Sequence, residues 1–258
     1  VYGFKHPDPS YPFGVRPKRL PDWVPGKPAR ADVKMPWIIV DRRGRRYMNE
    51  YPPYAQDTSW RPMATLDTET MSYLRIPSIM IMDESGRGTY PIVSPTFNDR
   101  RLNFESSEQT LRALEDKILR RAESIEDLAT RLDIDPAVLK KTIKDWNGAC
   151  DEQSDSDFGR PGTSMVKISN PPFYYADVWP VCSNTQGGPV HNAEQQVLNA
   201  FGLPIPRLFA AGELGGVFGH LYMSGGNLAE CFVGGWIAGQ TAAQLEPWDA
   251  TDKVAASG

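Results

Sequence analysis

Near its C-terminal end the chain reads Arg207-Leu-Phe-Ala-Ala-Gly-Glu213, followed by Gly225-Gly-Asn-Leu-Ala-Glu-Cys-Phe-Val-Gly-Gly-Trp-Ile-Ala-Gly239. The apolar run before Gly212 predicts a strand, the glycines predict a loop, and the long apolar stretch predicts a helix. Because this helix is apolar on nearly every side, it is expected to be buried. The fold of the second part of the chain depends on this strand, loop and helix.

The predicted last helix begins at Gly225-Gly226-Asn227, where no bulky side chain blocks the first backbone N–H groups. These donors and the positive end of the helix dipole suit an anion, or a carbonyl group that gains negative charge. Gly234, Gly235 and Gly239 each cost about 1 kcal/mol in helix propensity and indicate that a backbone or a ring approaches closely. A buried helix without a ligand would explain the glycines taken alone.

The ordered run from Gly187-Gly188 through Gly212-Glu213 to Gly225-Gly226-Asn227 resembles the last segment of flavoproteins related to fumarate reductase and the ketosteroid dehydrogenases. The resemblance implies FAD as cofactor, with Glu213 on the ribityl hydroxyls and the backbone of Leu228 and Ala229 at the pyrimidine edge of the flavin. The implied cofactor-binding residues are Asn184, Gly212, Glu213, Gly225, Gly226, Asn227, Leu228 and Ala229.

Flavoproteins of this family open with a Rossmann strand and a G-x-G-x-x-G turn, and the printed sequence has no such turn. We therefore interpret the chain as the C-terminal half of a flavoenzyme. Residues 1–165 are expected to form an α+β capping domain with a Pro-rich start, and residues 166–258 the C-terminal part of an α/β Rossmann-like FAD-binding domain. The expected partner is a companion chain, or an N-terminal half, that carries the turn. A start at Val1 rather than Met fits a processed or cut chain.

The composition excludes several functional classes. Lys and Arg number 28 against 32 Asp and Glu, and this net charge of −4 predicts neither nucleic acid nor an anionic membrane as partner. No apolar run reaches the roughly 18 residues of a membrane span, so a cytoplasmic protein is expected. The scattered Cys150, Cys182 and Cys231 predict neither a disulfide framework nor a metal site.

The first part of the chain contains strand and turn patterns. Residues 37–40 predict a strand, Asp41-Arg-Arg-Gly44 a turn, and residues 45–50 a returning strand. The sequence of residues 37–50 is similar to that of a hairpin in the family's capping domain. Residues 76–82 predict another buried strand.

Helical patterns follow, and they also resemble the capping domain. Ser124-Ile-Glu-Asp127 predicts a capped helix start, and Asp135-Pro136 starts the next helix, whose buried stripe is Leu139, Ile143 and Trp146. Residues 151–162 are polar and predict a loop at a domain boundary. A strand over 173–181 and a hairpin over 190–197 and 206–211 complete the pattern.

The substrate positions implied by the resemblance depart from fumarate reductases, which bind a dicarboxylate with cationic side chains. Ser183 stands in place of a histidine and Met223 in place of an arginine, while the catalytic arginine aligns with Val33, beside Lys34. A buried dianion without opposite charge costs several kcal/mol per ion. A neutral, fairly apolar small molecule is therefore the expected substrate, with Ser183, Met223 and Lys34 as substrate-binding residues. Lys34 is the alternative, because its side chain would restore one positive charge at this site.

Tyr222 and His220 are the candidate catalytic residues. Tyr222 precedes Gly225 at a place similar to the acid tyrosine of ketosteroid dehydrogenases, and His220 is a second acid/base candidate. The implied reaction transfers a hydride between a C–C/C=C bond and flavin N5. A packed Tyr222 and a structural His220 are the plain alternatives.

A different class of function also remains open. Neutral residues at three substrate positions fit a binding or regulatory subunit that kept the flavoprotein fold and lost the chemistry. The retained Glu213 and Asn227 favour the enzyme.

Overall fold

The computed structural model describes residues 1–11, 14–17, 34–51, 59–94, 106–182, 185–217 and 225–246. Two compact units make up the chain, residues 1–182 and residues 183–258. This division comes later than the predicted boundary at 165, because the strand over Phe173–Pro180 is central to the sheet of the first unit.

The described strands are short, and most belong to the first unit. In chain order they are β1 (Tyr2–Gly3), β2 (Arg16–Pro17), β3 (Ile38–Val40), β4 (Leu66–Asp67), β5 (Ser72–Tyr73), β6 (Ser78–Asp83), β7 (Val93–Ser94), β8 (Arg120–Ala122), β9 (Phe173–Pro180), β10 (Gln196–Leu198) and β11 (Pro204–Phe209). The described helices are α1 (Glu84–Thr89), α2 (Glu108–Ile118), α3 (Ile125–Leu132), α4 (Pro136–Glu152) and α5 (Gly226–Ala243), with 3-10 turns at Arg61–Ala64 and Gly162–Ser164.

An antiparallel sheet of five strands forms the centre of the first unit. Strand β9 pairs with β1, β6 and β8, and β6 also pairs with β3. All six residues of β6 are buried. Met80 and Met82 pack into one apolar cluster, whereas Ile79 and Ile81 pack into another. Since side chains alternate between the faces of a strand, both faces of this sheet are covered, and the predicted buried strand over 76–82 is confirmed as β6.

The first residues of the sequence lie beside the end of β9. Tyr2 pairs with Pro180, and the amino group of Val1 donates to the carbonyl oxygen of Val181 at 3.3 Å. Residues at the two ends of this unit are therefore direct neighbours.

Local sequence signals set the starts of α3 and α4. The Ser124 hydroxyl accepts a hydrogen bond from the Asp127 N–H at 3.0 Å, and the Asp135 carboxylate accepts one from the Ala137 N–H at 2.8 Å. Both predicted caps are confirmed, as is the buried stripe of Leu139, Ile143 and Trp146.

The predicted hairpin over 37–50 is only half formed. Strand β3 and the turn at Gly44, with φ +77°, are as expected. The prediction of a returning strand over 45–50 is wrong, because this segment forms a single bridge, between Val40 and Arg46. The reason is that Glu50 turns inward, where its carboxylate accepts a hydrogen bond from the Ile39 N–H at 3.1 Å.

The predicted loop over 151–162 also differs from expectation. Helix α4 continues to Glu152, and the loop beyond it buries Asp155 and Arg160. Arg160 donates to the carbonyl oxygen of Trp37 at 2.7 Å. This segment therefore belongs to the interior of the first unit and does not separate two units.

The second unit contains the hairpin of β10 and β11 and the helix α5. The two strands are antiparallel, and Phe201 and Gly202 lie in their connection, which confirms the predicted hairpin. Within the described ranges, no helix is long and apolar enough to cross a lipid bilayer.

Candidate functional site

The start of α5 lies where the sequence predicts it. Gly225 is the N-cap residue in a left-handed conformation, with φ +81°, and α5 begins at Gly226. Among the described residues, a Cβ atom at Gly225 would meet nothing within 4 Å, and no side chain caps the helix. Within the described part of the chain, the first-turn N–H groups therefore have no side-chain partner.

Asn227 lies in this first turn and is half-buried. Its side-chain oxygen Oδ1 accepts a hydrogen bond from Nε2 of Gln186 at 2.7 Å. Leu228 and Ala229 follow it on the exposed side of the helix. The structure thus brings Gly225, Gly226, Asn227, Leu228 and Ala229 together in one turn.

The loop after β11 lies against the same helix. Gly212 has φ +75°, and a Cβ atom there would stand 3.0 Å from Sγ of Cys231, so both the backbone conformation and the close approach favour glycine. Glu213 is half-buried, and its carboxylate accepts a hydrogen bond from the Thr185 N–H. A carboxylate in this place can accept further hydrogen bonds from hydroxyl groups of a ligand.

The segment that precedes β10 joins this arrangement through its backbone. The Gly215 N–H donates to the carbonyl oxygen of Gly187 at 2.6 Å. A Cβ atom at Gly188 would come within 2.7 Å of the Gly215 nitrogen. The structure therefore brings together the three glycine-rich segments of the predicted cofactor site.

A cavity of about 260 Å³ lies beside the loop and the helix. One oxygen of Glu230 accepts a hydrogen bond from the Val217 N–H at 2.6 Å, and the other is buried without a partner among the described residues. The residues that line the cavity are His191, Gln195, Gly212, Gly215, Val217, Ala229, Glu230, Val233 and Gly234.

Sequence reasoning missed two polar residues of this region. Glu230 is the one charged residue of α5, and a charge inside an otherwise apolar helix was the signal for it. Gln186 directly precedes the Gly187-Gly188 pair, but no pattern in the sequence relates it to Asn227.

The predicted burial of α5 is wrong within this chain. Of its residues only Gly226 and Gly234 are buried, while Leu228, Phe232 and Trp236 are between 64% and 76% exposed. The helix packs against the hairpin through a stripe of small residues, where a Cβ at Gly234 would stand 3.0 Å from Oε1 of Gln195. The other faces have no cover among the described residues, and Gly235 and Gly239 have no close neighbour there.

Several predicted residues lie outside the described residues: Ser183, Asn184, His220, Tyr222 and Met223. Lys34 belongs to the first unit, where its carbonyl oxygen accepts a hydrogen bond from the Tyr90 hydroxyl at 2.8 Å. The predicted substrate and catalytic roles of these residues stay predictions.

The donors and acceptors at the start of α5 fit the cofactor that the resemblance implies. Open N–H groups and the Asn227 amide supply donors for the pyrimidine edge of a flavin, and the Glu213 carboxylate supplies an acceptor for hydroxyl groups. No described residue comes within 4 Å of a Cβ placed at Gly225, which fits a close approach of the cofactor there.

Comparison with known proteins points to reductases and dehydrogenases. The chain is 29% identical to digoxin reductase of Eggerthella lenta over 221 residues, covering 82% of this chain and 36% of that protein. It is 36% identical to urocanate reductase of the same species over 128 residues, covering 49% of this chain and 21% of that protein. The chain therefore spans between a fifth and about a third of the length of these relatives.

A solved structure shares the fold. The 3-ketosteroid Δ1-dehydrogenase of Sterolibacterium denitrificans superposes with a TM-score of 0.65 over 90% of this chain and 43% of that one, at 23% identity.

The sequence family described as FAD binding domain matches residues 25–228, which is most of the chain. The match includes the three glycine-rich segments that the structure brings together. This chain therefore belongs to the FAD binding domain family of oxidoreductases, and its cofactor is FAD.

Proposed function

We propose that this chain supplies the capping domain and the C-terminal part of the FAD-binding domain of a dehydrogenase or reductase that acts at a C–C or C=C bond. The observation that carries the proposal is the open start of α5, where Asn227 and the Glu213 loop converge. Preorganised donors at one point of a site stabilise negative charge as it develops there.

The chain's own residues have separate tasks in this proposal. The first-turn N–H groups of α5 and the Asn227 amide stabilise charge at the pyrimidine edge of the flavin. The Glu213 carboxylate, held by the Thr185 N–H, accepts hydrogen bonds from the ribityl hydroxyls. When bound, FAD supplies hydride exchange between its N5 and a substrate carbon. Tyr222, with His220 as the second candidate, handles the proton at the neighbouring carbon.

The proposed substrate class is supported by the residues that the resemblance implies around the substrate. Ser183 and Met223 are neutral where fumarate reductases carry a histidine and an arginine. Because a buried dicarboxylate would lack opposite charge there, a neutral and fairly apolar small molecule is the proposed substrate. Lys34, in the first unit, is the proposed third contact.

A companion with the G-x-G-x-x-G turn is the proposed partner, supplied by another chain or by an N-terminal half. The exposed face of α5 supports it: Leu228, Phe232 and Trp236 recur every fourth residue along one side. Covering side chains of this size stabilises an interface by roughly 1.5–3 kcal/mol each. A cytoplasmic location is part of the proposal and rests on the composition alone.

Flavin retention tests the proposal. The chain is purified alone and together with the companion, and bound flavin is measured by visible absorbance and by mass spectrometry of the released cofactor. We expect the assembly to retain FAD and the isolated chain to lose it. An assembly without FAD would overturn the proposed site, and tight FAD binding by the isolated chain would overturn the need for a companion.

A matched pair of variants locates the cofactor. Gly225 and Gly202 have nearly the same left-handed backbone, with φ +81° and +78°, and each has open space where a Cβ would stand. Gly225→Asp puts a side chain and a negative charge at the start of α5, whereas Gly202→Asp puts them in the hairpin connection. Loss of flavin from the assembly in the first variant alone supports the site, and equal retention in both argues against it.

A further inference from the structure

Three consecutive residues connect the glycine segment before β10 to the candidate cofactor site. The Thr185 N–H donates to the Glu213 carboxylate, Nε2 of Gln186 donates to Oδ1 of Asn227, and the carbonyl oxygen of Gly187 accepts from the Gly215 N–H. Of these contacts, only the one made by Gln186 joins two side chains. A substitution at Gln186 can therefore remove its contact without altering the backbone.

The contact with Gln186 fixes the orientation of the Asn227 amide. An amide group is planar, with an acceptor oxygen on one branch and a donor NH2 on the other. Since Oδ1 accepts from Gln186 at 2.7 Å, Nδ2 points away from Gln186. Among the described residues, Nδ2 has no acceptor. In the described part of the chain, the two N–H donors of Asn227 thus have no partner, and the N–H groups of the first turn of α5 supply the same polarity.

We propose that Gln186 is a positioning residue, which holds the Asn227 amide with its NH2 group toward the pyrimidine edge of the flavin. The inference rests on the proposed function, in which the start of α5 binds that edge. Reduction adds negative charge there, so a fixed donor stabilises the reduced cofactor more than the oxidised one. Gln186 thus acts on the flavin reduction potential through Asn227.

The reduction potential separates this role from a purely structural one. Gln186→Met keeps the length of the side chain and removes its hydrogen bond. In the flavin-containing assembly we expect the ratio of the affinities for reduced and oxidised flavin to fall about tenfold, which lowers a two-electron potential by about 30 mV. Gln109→Met, the same change at an exposed position of α2 in the first unit, should leave the potential unchanged.

A double-mutant cycle tests whether Gln186 acts through Asn227. In an Asn227→Ser background the fixed donor is already lost, so Gln186→Met should no longer shift the potential. An unchanged potential in the single variant would overturn the inference, and so would the same shift in both backgrounds. Gln186→Glu provides a second route: its carboxylate only accepts, so it turns the Asn227 amide over and should also lower the potential.

The proposed function can fail separately from this inference. If the unaltered assembly contains no flavin, the proposed site is wrong. If flavin is bound and its reduction potential is unchanged by substitution of Gln186, only the positioning role is wrong.

Discussion

Arg46 forms a two-point ion pair with Glu50: Nε donates to Oε1 at 2.9 Å, and Nη2 donates to Oε2 at 2.8 Å. The same Nη2 donates to Asp155 at 2.9 Å, and Arg160 donates to Glu50 at 3.3 Å. None of these four side chains is more than 8% exposed. Each buried charge here is stabilised by its opposite, because a buried charge without a partner destabilises the folded state.

Removing Glu50 should therefore destabilise the first unit strongly. We expect Glu50→Ala to lower the free energy of unfolding by about 3–5 kcal/mol, since Arg46 and Arg160 lose their shared partner. Denaturant titration of the full chain measures the change. Asp145→Ala is the control, because Asp145 pairs with Lys141 at the surface and such pairs contribute about 0–1 kcal/mol. Equal effects of the two substitutions would contradict the importance of the buried network.

Asp155 should make part of this stability dependent on pH. Burial by itself raises the pKa of Asp155, but the hydrogen bonds and charge of Arg46 outweigh it and hold the pKa below its ordinary value of 3.8. Such a carboxylate stabilises the fold above the ordinary pKa and stops doing so as the pH falls through its lowered pKa. Asp155→Asn should thus lower the thermal midpoint near neutral pH, and its difference from the unaltered protein should shrink below about pH 4. A difference that stays constant into acid would rule this out.

Two glycines should respond to alanine with opposite signs. Gly188 has φ +127°, and an added Cβ would stand 2.7 Å from the Gly215 nitrogen, so Gly188→Ala should destabilise by at least about 1–3 kcal/mol. Gly148 lies exposed within α4 with open space around it, so Gly148→Ala should stabilise by about 1 kcal/mol. Thermal unfolding of the two variants provides the test. Stabilisation by Gly188→Ala would show that the contact with Gly215 is not tight.

The exposed face of α5 should matter for assembly and not for the stability of the chain. Phe232 is 76% exposed, so Phe232→Arg should change the free energy of unfolding by about 0.5 kcal/mol or less. The same variant should fail to join the companion and to retain flavin, as measured by gel filtration and visible absorbance. Met71→Arg changes a residue of similar exposure, 73%, in the first unit and should assemble normally. Normal assembly of Phe232→Arg would remove this face from the interface.

Tyr222 is tested by the loss of its hydroxyl group alone. If it handles the proton, Tyr222→Phe should reduce turnover in the assembly by roughly 10²–10⁴-fold while flavin remains bound. Tyr73→Phe, at an exposed tyrosine of the first unit, should be neutral. Unchanged turnover in Tyr222→Phe would leave His220 as the candidate.

Local chemistry made parts of the fold predictable. The Ser124 and Asp135 caps, the turn at Gly44 and the proline that starts α4 each depend on neighbours a few residues away. The continuous apolar run of β6, residues 79–82, was also predictable, because such a run indicates a strand that is buried on both faces.

Long-range pairing was not predictable in the same way. Arg46 and Asp155 are 109 positions apart, and no local pattern in the sequence relates them. The exposure of α5 was not predictable either. An apolar pattern indicates that a helix face packs against another segment, but it does not show which segment that is.

In the candidate site, too, local features were predictable and long-range pairing was not. Gly212 and Gly225 could be recognised because a close approach and a left-handed cap each favour glycine. The pairing of Gln186 with Asn227 could not, because a polar residue in a loop carries no periodic signal of its partner.

The meeting of Val1 with Val181 has a wider consequence. Because these two residues are direct neighbours, a short linker can span the distance between them. Joining residues 1 and 181 through such a linker would let the chain be reopened elsewhere, as a circular permutant. In such a permutant the strands and helices between residues 1 and 181 would keep their contacts while their order in the sequence changes.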